Sequence, residues 1–332
     1  MDSIATLAFA RELVDIDSTT GSEAAASAWL AQRLRDLGYR VEEQPLDRGR
    51  ANVRATPGDD HPPIVLSTHF DCVPPFYPSS VRDGRLYGRG ACDAKGILAA
   101  QVAAAERLRA SGDHRVGLLF VVGEERGSDG AAAANTLANS ARFLINGEPT
   151  NNRLATGTRG ALRVRLAASG RAAHSSAPAQ GESAIDKLLN ALSLLKTLPL
   201  PSNADFGGTF YNVGLIEGGV APNIIPPAAS AEIMFRTVGP ADDVLEVVRR
   251  LEPLVHVSEV LRVEPVRMHV VPGFPTASFP FTTDIPLLDR WGSPLLFGPG
   301  SILVAHTDHE HVLLSELHEA VDGYVRLVQA LS

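Results

Sequence analysis

The residues best suited to chemistry lie in the stretch 64–96, where a histidine and two aspartates follow a short apolar run. Ile64–Leu66 is typical of a strand in a sheet covered on both faces. Because strand side chains alternate, His69 and Asp71 should point to the same side, so one could bind a metal ion while the other orients it. Asp93 lies in a glycine-rich turn, where the backbone can approach an ion closely. The stretch therefore predicts half of a metal site at the carboxyl end of a strand.

More acidic residues follow the later strands that the pattern predicts. Glu124 and Glu125 come directly after the apolar run 116–122, and Glu148 follows a strand at 142–145. Four or five acids at one sheet edge would raise each other's pKa values unless a cation compensated them. Three ligand carboxylates and one hydroxide would balance two divalent ions, and zinc accepts such a mixture of histidine and carboxylate ligands.

The adjacent pair Glu124 and Glu125 needs two separate roles, because neighbouring side chains diverge and do not easily chelate one ion together. One of them would bind a metal ion. The other could take a proton from a metal-activated water and return it to a leaving amine, as an amide hydrolase requires. A single Asp or His in a loop is more often a turn or capping residue, so the hypothesis rests on the whole set.

The order of elements predicts an α/β protein with an inserted second domain. Helices and strands alternate over 1–157, which favours a doubly wound, mostly parallel sheet. Residues 158–267 show half-polar strands in the order strand–helix–strand–strand–helix–strand, which predicts a smaller α+β, ferredoxin-like domain. The main domain should resume over 268–332 and end in a helix at 314–331.

Composition narrows the partners to small solutes. The chain has 332 residues, 45% of them hydrophobic and 20% charged, and a net charge of −8 without any run of Lys or Arg. These values disfavour nucleic acid and anionic membranes. The first residues suggest an amphipathic helix, not a signal peptide, so we expect a cytoplasmic protein. Cys72 and Cys92 are the two cysteines of the sequence, which fits a reducing compartment, and we expect both thiols to be buried as packing residues.

Seven motifs in chain order together resemble the metallopeptidase M20 family. They are HFD at 69–71, GRGACDAKG at 88–96, GEE at 123–125, GEPT at 147–150, GRAAHSSAP at 170–178, APNIIP at 221–226 and AHTDHE at 305–310. That family includes acetylornithine deacetylase, succinyl-diaminopimelate desuccinylase, carrier-linked lysine and ornithine hydrolases, carboxypeptidase G2, and di- and tripeptidases. Ala94 and Ile97 replace the commoner Met and Gly of the family, and neither change affects a ligand.

The resemblance implies a pair of zinc ions with defined ligands, although Co²⁺ or Mn²⁺ would also suit them. It assigns His69 and Glu148 to one ion, Glu125 and His306 to the other, Asp93 as the bridge, Asp71 as the residue that orients His69, and Glu124 as the general acid and base. His309 is the alternative to His306 as the last ligand.

The resemblance also implies substrate contacts and a homodimer formed through the 158–267 domain, which would act as a lid. His174 would polarise the scissile carbonyl across the dimer interface. Asn223 and Arg236 would contact the substrate's carbonyl and carboxylate, and Gly298 is a further substrate-contact candidate. From the residues alone, an Asn after a Pro is usually a turn residue and an Arg in an alternating strand usually lies on a solvated face.

We therefore hypothesise a zinc-dependent amidohydrolase that cleaves a small N-acyl amino acid, similar to acetylornithine deacetylase. The alternatives are a di- or aminopeptidase of the same family and a carrier-protein-linked lysine or ornithine hydrolase, the latter disfavoured by the negative net charge. A hypothesis from another class is a metal-free binding relative. The intact ligand set argues against it, because clustered acids destabilise a fold that binds no metal.

Overall fold

The computed structural model describes residues 1–58 and 61–331, which form two compact units. The first unit comprises Met1–Thr156, Met268–Ala277 and Thr283–Ser332, and the second comprises Gly157–Arg267 and Ser278–Thr282. Short strands lie where the chain passes from one unit to the other: Leu154–Thr158, Val266–Arg267 and Thr276–Phe279. The smaller domain that we predicted from the sequence covers 158–267.

A six-stranded sheet forms the centre of the first unit. Its strands lie in the order Arg40–Pro45, Ala51–Thr56, Val116–Val121, Ile64–His69, Phe143–Asn146 and Ser293–Leu296. The last four are mutually parallel, Ala51–Thr56 pairs antiparallel with Val116–Val121, and Arg40–Pro45 pairs antiparallel with Ala51–Thr56. Ile64–His69 and Val116–Val121 are buried along their whole length, as apolar runs in a sheet covered on both faces should be. The predicted doubly wound, mostly parallel sheet is confirmed.

Helices cover this sheet. They are Ser3–Val14, Ala24–Asp36, Lys95–Ala110, Asp129–Ala134 and Leu314–Ala330, with single 3-10 turns at Asp47–Gly49, Glu124–Arg126 and Ile285–Leu287. Lys95–Ala110 is rich in alanine and almost entirely buried, so it can pack closely against the sheet on one side and against neighbouring helices on the other. The opposite sheet face packs against a cluster that includes Leu288 and Trp291.

Two local features differ from what the sequence pattern indicates. The alanine-rich pattern over 130–138 predicts a helix, but the helix ends at Ala134, because the Asn135 side chain donates to Asp289 and accepts from the Arg290 backbone. The hairpin of Ser80–Arg82 and Arg85–Tyr87, extended by His311–Leu313, was not expected. These tertiary contacts outweigh the local helical pattern.

The second unit is a four-stranded antiparallel sheet with helices on one face. Its strands lie in the order Phe210–Gly218, Ala228–Thr237, Gly160–Ser169 and His256–Val263. The remaining elements are the helices Ala184–Leu195 and Ala241–Arg249, a 3-10 turn at Pro178–Gln180, and two-residue strands Ser202–Asn203 and Gly207–Gly208. Leu162, Val164 and Leu166 alternate inward, which agrees with the predicted half-polar strands. In the described parts of both units, no helix is long and apolar enough to cross a membrane.

Candidate metal centre

His69 ends the buried strand Ile64–His69 and has both ring nitrogens facing carboxylates. Its Nδ1 atom lies 3.3 Å from Oδ1 of Asp71, and its Nε2 atom lies 3.1 Å from Oδ1 of Asp93. Burial opposes a charge on the imidazole, but the two carboxylates raise the pKa of His69 well above its ordinary value. Asp71 thus orients the imidazole ring through Nδ1, so that Nε2 faces Asp93.

Asp71 is itself held in place by hydrogen bonds from three directions. It accepts from the backbone N–H groups of Glu124 and Glu125 at 3.0 and 3.2 Å, and from the Thr20 hydroxyl at 2.8 Å. Burial works to raise its pKa, yet the contacts with His69, Thr20 and the backbone hold the pKa of this carboxyl below its usual range. Asp71 therefore remains a fixed anion that can orient the imidazole.

Asp93 lies between two histidines. One carboxylate oxygen faces Nε2 of His69 at 3.1 Å, and the other faces Nε2 of His306 at 3.4 Å. Burial opposes the charged carboxylate, but hydrogen bonds from His306 and His69 keep the pKa of Asp93 well below its ordinary value. A carboxylate with one oxygen toward each histidine has the arrangement that a bridging ligand needs.

Two groups of potential ligands share Asp93. His69, Asp93 and Glu148 place one ligand atom each within 4.8 Å of the others, and so do Asp93, Glu125 and His306. The structure thus brings together all five residues that the sequence nominated as ligands. Each group mixes imidazole nitrogen with carboxylate oxygen, a donor set that suits zinc and also other divalent transition metals.

Glu148 provides the clearest sign that a cation fits here. Its Oε1 atom is buried and has no hydrogen-bond partner among the residues that the structure describes. Burial, helped by the charges of Asp93 and Glu124 and opposed by His69, raises the pKa of the Glu148 carboxyl well above its ordinary value. An unpaired buried acceptor destabilises a fold by about 1–3 kcal/mol or more. A cation bound by His69, Asp93 and Glu148 would remove this penalty.

Glu124 and Glu125 separate as the sequence suggested. Both lie in the 3-10 turn Glu124–Arg126, which starts after Gly123 in the left-handed region with φ of 77°. A side chain at that glycine would collide with the Asp129 carboxylate, since a Cβ would lie 1.9 Å from its Oδ1. The tight turn sends Glu125 to the His306 group, where its Oε1 lies 2.9 Å from Nε2 of that histidine.

Glu124 belongs to neither ligand group of the described residues. Burial raises the pKa of its carboxyl well above the ordinary value, His69 opposes the shift, and Asp284, Glu125 and Asp93 add to it. A carboxyl that lies beside a metal site without serving as a ligand can take up a proton and release it again.

His306 and not His309 joins the ligand groups. The carboxylates of Asp93 and Glu125 raise the pKa of His306 to about 10, although burial opposes this. Its backbone is left-handed, with φ of 64°. His309 belongs to neither ligand group of the described residues; its Nδ1 lies 2.8 Å from Oδ1 of Asp308, and both side chains are largely exposed.

Asp284 is a buried acid near the site that sequence reasoning missed. It precedes the 3-10 turn Ile285–Leu287, and it contributes to the raised pKa values of Glu124 and Glu148. Burial raises its own pKa to about 7, against the lowering effects of His69 and the Ser128 hydroxyl. In the sequence, a Thr-Asp pair before Ile-Pro has the pattern of an ordinary turn.

The two thiols are buried, as expected of packing residues. Burial raises the pKa of Cys72 to about 12 and that of Cys92 well above its usual range, so both stay protonated at neutral pH. Neither thiol belongs to a ligand group of the described residues.

Three of the residues predicted to contact substrate lie in the second unit. His174 and Asn223 are exposed on segments that pair with each other: Ser175 donates to the Asn223 carbonyl at 3.0 Å, and Ile225 donates to the Ala173 carbonyl at 2.8 Å. The structure therefore brings these two candidates side by side within their own unit.

Arg236 is the third. It is half-buried in the strand Ala228–Thr237, and its guanidinium makes no hydrogen bond or ion pair with any residue that the structure describes. Burial lowers the pKa of Arg236 below its ordinary value. A desolvated guanidinium without a protein partner is suited to bind a carboxylate from outside the chain.

Gly298, the fourth candidate, has no polar atom left for a substrate. It is buried in the first unit, its N–H donates to the Thr150 hydroxyl, and its carbonyl accepts from Thr150 and Asn152. A Cβ at this position would lie 2.5 Å from the Glu148 carbonyl oxygen. These contacts indicate that Gly298 positions the segment that carries Glu148. They do not favour the predicted contact between Gly298 and a substrate.

Residues 65–330 match the sequence profile described as Peptidase family M20/M25/M40. The chain belongs to this family. The resemblance drawn from the motifs is confirmed, and membership of the M20 family makes the protein a hydrolase of peptide bonds.

Relatives of the M20 family resemble the chain over nearly its whole length. A probable carboxypeptidase of Aspergillus clavatus is 38% identical over 370 residues, which cover 98% of this chain and 82% of the relative. Among solved structures, the aminopeptidase PepT from Bacillus cereus superposes with a TM-score of 0.83 at 19% identity, covering 99% of both chains. A metallo-carboxypeptidase from Sulfolobus solfataricus gives 0.76 at 17% identity, again covering 99% of both chains. At such low identities these structures show the shared fold.

Proposed function

We propose that the protein is a two-metal carboxypeptidase-type hydrolase, which cleaves an amide bond whose amine side carries a free carboxylate. The observation that carries this proposal is the pair of ligand groups sharing Asp93, with Glu124 left outside them as a proton carrier. The probable carboxypeptidase from Aspergillus clavatus supports the carboxypeptidase type. The unpaired Arg236 supports a substrate with a carboxylate.

In this proposal His69 and Glu148 would hold one metal ion, Glu125 and His306 the other, and Asp93 would contact both. Two such ions supply Lewis-acid polarisation of the scissile carbonyl and a nucleophilic water at neutral pH. Zinc is the metal we propose, since the donors are imidazole and carboxylate, while Co²⁺ and Mn²⁺ would suit the same donors.

The chain's own residues then move the proton. Glu124 accepts a proton from the attacking water and returns it to the departing amine, so that the amine leaves in its neutral form. Asp71 keeps the His69 ring oriented throughout, because its carboxylate is fixed by the Glu124 and Glu125 N–H groups. His174 and Arg236 would act on the substrate's carbonyl and carboxylate.

A second candidate, hydrolysis of a small N-acyl amino acid, follows from the same site. An N-acyl amino acid and the carboxyl end of a peptide both present an amide followed by a free carboxylate. Arg236 cannot distinguish them, because it would contact only the shared carboxylate. The acetylornithine deacetylase-like activity therefore remains a proposal beside the carboxypeptidase.

A substrate panel tests both candidates. Zinc-loaded protein would be assayed with N-acetyl amino acids, dipeptides and longer peptides, each also as its carboxyl-terminal amide. We expect hydrolysis of free-carboxylate substrates, loss of activity on amidation, and loss of activity after metal removal. Cleavage that proceeds equally well on amidated peptides would contradict the carboxypeptidase type.

We also propose a homodimer formed through the second unit. Among the described residues, the strand Phe210–Gly218 pairs on one side only, with Ala228–Thr237. Leu215 and Ile216 on this edge strand are 58% and 60% exposed, and Leu189 on the helix Ala184–Leu195 is 53% exposed. An unpaired apolar edge is suited to join a second copy about a two-fold axis.

A further inference from the structure

Glu310 is a buried acid that lies four residues after His306 and has no role in the proposed chemistry. It is 2% exposed, and its Oε1 atom accepts hydrogen bonds from the N–H groups of Gly90, Cys92 and Asp93 at 2.9, 3.1 and 3.1 Å. Three backbone donors that converge on one oxygen form an anion-binding cradle. The turn that carries Asp93 is thus folded around the Glu310 carboxylate.

The contacts continue on the other side of Glu310. Its Oε2 atom accepts from Nη1 of Arg89 at 2.5 Å, and this guanidinium is only 3% exposed. Arg89 also donates to the Pro75 carbonyl and lies over the Tyr77 ring. In addition, the Gly88 N–H donates to the Glu310 carbonyl at 3.2 Å. Side chain and backbone of Glu310 together hold the turn at both ends.

Asp93 is the one residue that the two ligand groups share, and its oxygens face His69 and His306 separately. A shift of this turn would therefore move both oxygens at once. We propose that Glu310 is a positioning residue that fixes Asp93 and, through it, both metal positions. The inference rests on the two-metal site proposed above.

An ordinary structural role for Glu310 would have a different consequence. If Glu310 only anchored the segment next to it in the chain, its loss would weaken metal binding by the group that contains His306. Metal binding by the group that contains His69 would not change. The hydrogen bond from the Asp93 N–H to Glu310 predicts instead that both groups weaken together.

The substitution Glu310→Gln tests this. Glutamine keeps the shape, but its amide nitrogen must face either the three N–H donors or the Arg89 guanidinium, so a donor always meets a donor. We expect the affinity of both positions for zinc to fall about 10- to 100-fold in competition with a chromophoric chelator, as is typical for residues that support a metal ligand. The visible absorption of bound Co²⁺ should change as well.

Glu106→Gln is the matched control. Glu106 pairs with Arg109 at 2.9 Å near the end of the helix Lys95–Ala110, and both side chains are largely buried. The same loss of a carboxylate there should leave both zinc affinities and the Co²⁺ spectrum at their wild-type values. Circular dichroism of the metal-free proteins tests whether each variant is folded.

Glu310→Asp decides the matter if Glu310→Gln does not fold. Aspartate keeps the charge beside Arg89 but is one methylene shorter, so it cannot reach all three N–H donors, and we expect a smaller loss at both positions. Wild-type affinity at both positions, or a loss at only one of them, would overturn the inference. Wild-type protein that binds fewer than two ions would contradict the metal centre itself, which is a separate result.

Discussion

Oδ1 of Asp71 accepts a hydrogen bond from the backbone N–H of Glu124 at 3.0 Å. The same carboxylate lies 3.3 Å from the imidazole of His69. One anion therefore fixes both the proposed proton carrier and a proposed ligand, which sets the distance between the proton carrier and the metal positions. The other oxygen of Asp71, Oδ2, accepts from the Glu125 N–H and the Thr20 hydroxyl, so both carboxylate oxygens are used in holding the site together.

Glu124→Gln should abolish most activity while leaving the metal ions bound, because it removes a proton carrier and no ligand. General acid–base catalysis contributes about 10²- to 10⁴-fold, so kcat should fall by at least that amount. Steady-state kinetics and elemental analysis on the same preparation measure both effects. Glu125→Gln is the control, since it should lose metal as well as activity. Near-normal turnover of Glu124→Gln would refute the proposed role.

Asp93→Ala should affect both metal positions, because both ligand groups contain this residue. We expect less than about half of the wild-type zinc content and a lower melting temperature in the presence of zinc, since bound metal stabilises the fold. Elemental analysis and thermal unfolding with and without zinc provide the measurement. Full metal content in the variant would show that Asp93 is not shared.

The metal-free protein should show a pH-dependent contribution of His306 to stability. The carboxylates of Asp93 and Glu125 raise its pKa from 6.5 to about 10 in the folded chain. A raised pKa means that the stabilising charge is fully present below about pH 6.5 and is lost as the pH rises toward 10. The side chain is half exposed, so solvent screens the effect.

His306→Asn isolates this charge, because asparagine also tolerates a left-handed backbone. The difference in melting temperature between metal-free wild type and His306→Asn should be larger at about pH 6 than at about pH 10. A difference that stays constant over this range would show that the ion pairs with Asp93 and Glu125 do not stabilise the metal-free fold.

Arg236→Met should lower the hydrolysis of substrates with a free carboxylate, because it removes the guanidinium that would bind the carboxylate and keeps most of the side-chain volume. We expect kcat/KM for a free-carboxylate peptide to fall about 10- to 100-fold, while the already poor activity on the amidated peptide changes little. Arg165→Met is the matched control. Arg165 lies on the same sheet face in register with Glu232 and is exposed. An equal loss in both variants would argue against carboxylate recognition by Arg236.

Mixing two inactive variants tests whether His174 acts across a dimer. Glu124→Gln and His174→Ala would be combined under conditions that exchange subunits. If each site is completed by the partner, half the dimers are mixed and each has one intact site, so activity should recover to about a quarter of wild type. No recovery despite demonstrated exchange would place His174 in its own chain's site or outside catalysis.

Sequence patterns predicted those site residues whose place in the fold follows directly from a strand next to them in the chain. His69, Glu125 and Glu148 could be found because each lies at or shortly after the carboxyl end of a buried parallel strand, and such ends meet at one edge of the sheet. The alternation in the second unit was equally clear, because its sheet has one face against helices and one open face.

Other features depend on contacts between distant parts of the chain. Glu310 meets its partner Gly90 across 220 residues, and Asp284 becomes unusual only through burial near His69 and Glu124. The hairpin around Asp83 and Gly84 did carry a local signal, since Asp-Gly favours a tight turn with positive φ, as both residues show. That signal lay in a short polar stretch without a long apolar alternation beside it.

The left-handed backbone of His306 restricts how this centre could be given different ligands. A residue with a branched or bulky side chain is strained at φ of 64°, whereas glycine, asparagine and aspartate adopt this conformation readily. Aspartate is the one among them that also binds metal as an anion. Replacement of His306 by aspartate would thus keep the turn intact and exchange a nitrogen donor for an oxygen donor. The metal position formed with Asp93 and Glu125 should then shift its preference toward Mn²⁺. A cysteine at position 306 would be strained in the left-handed conformation, and this strain would oppose the binding of a softer metal by its thiolate.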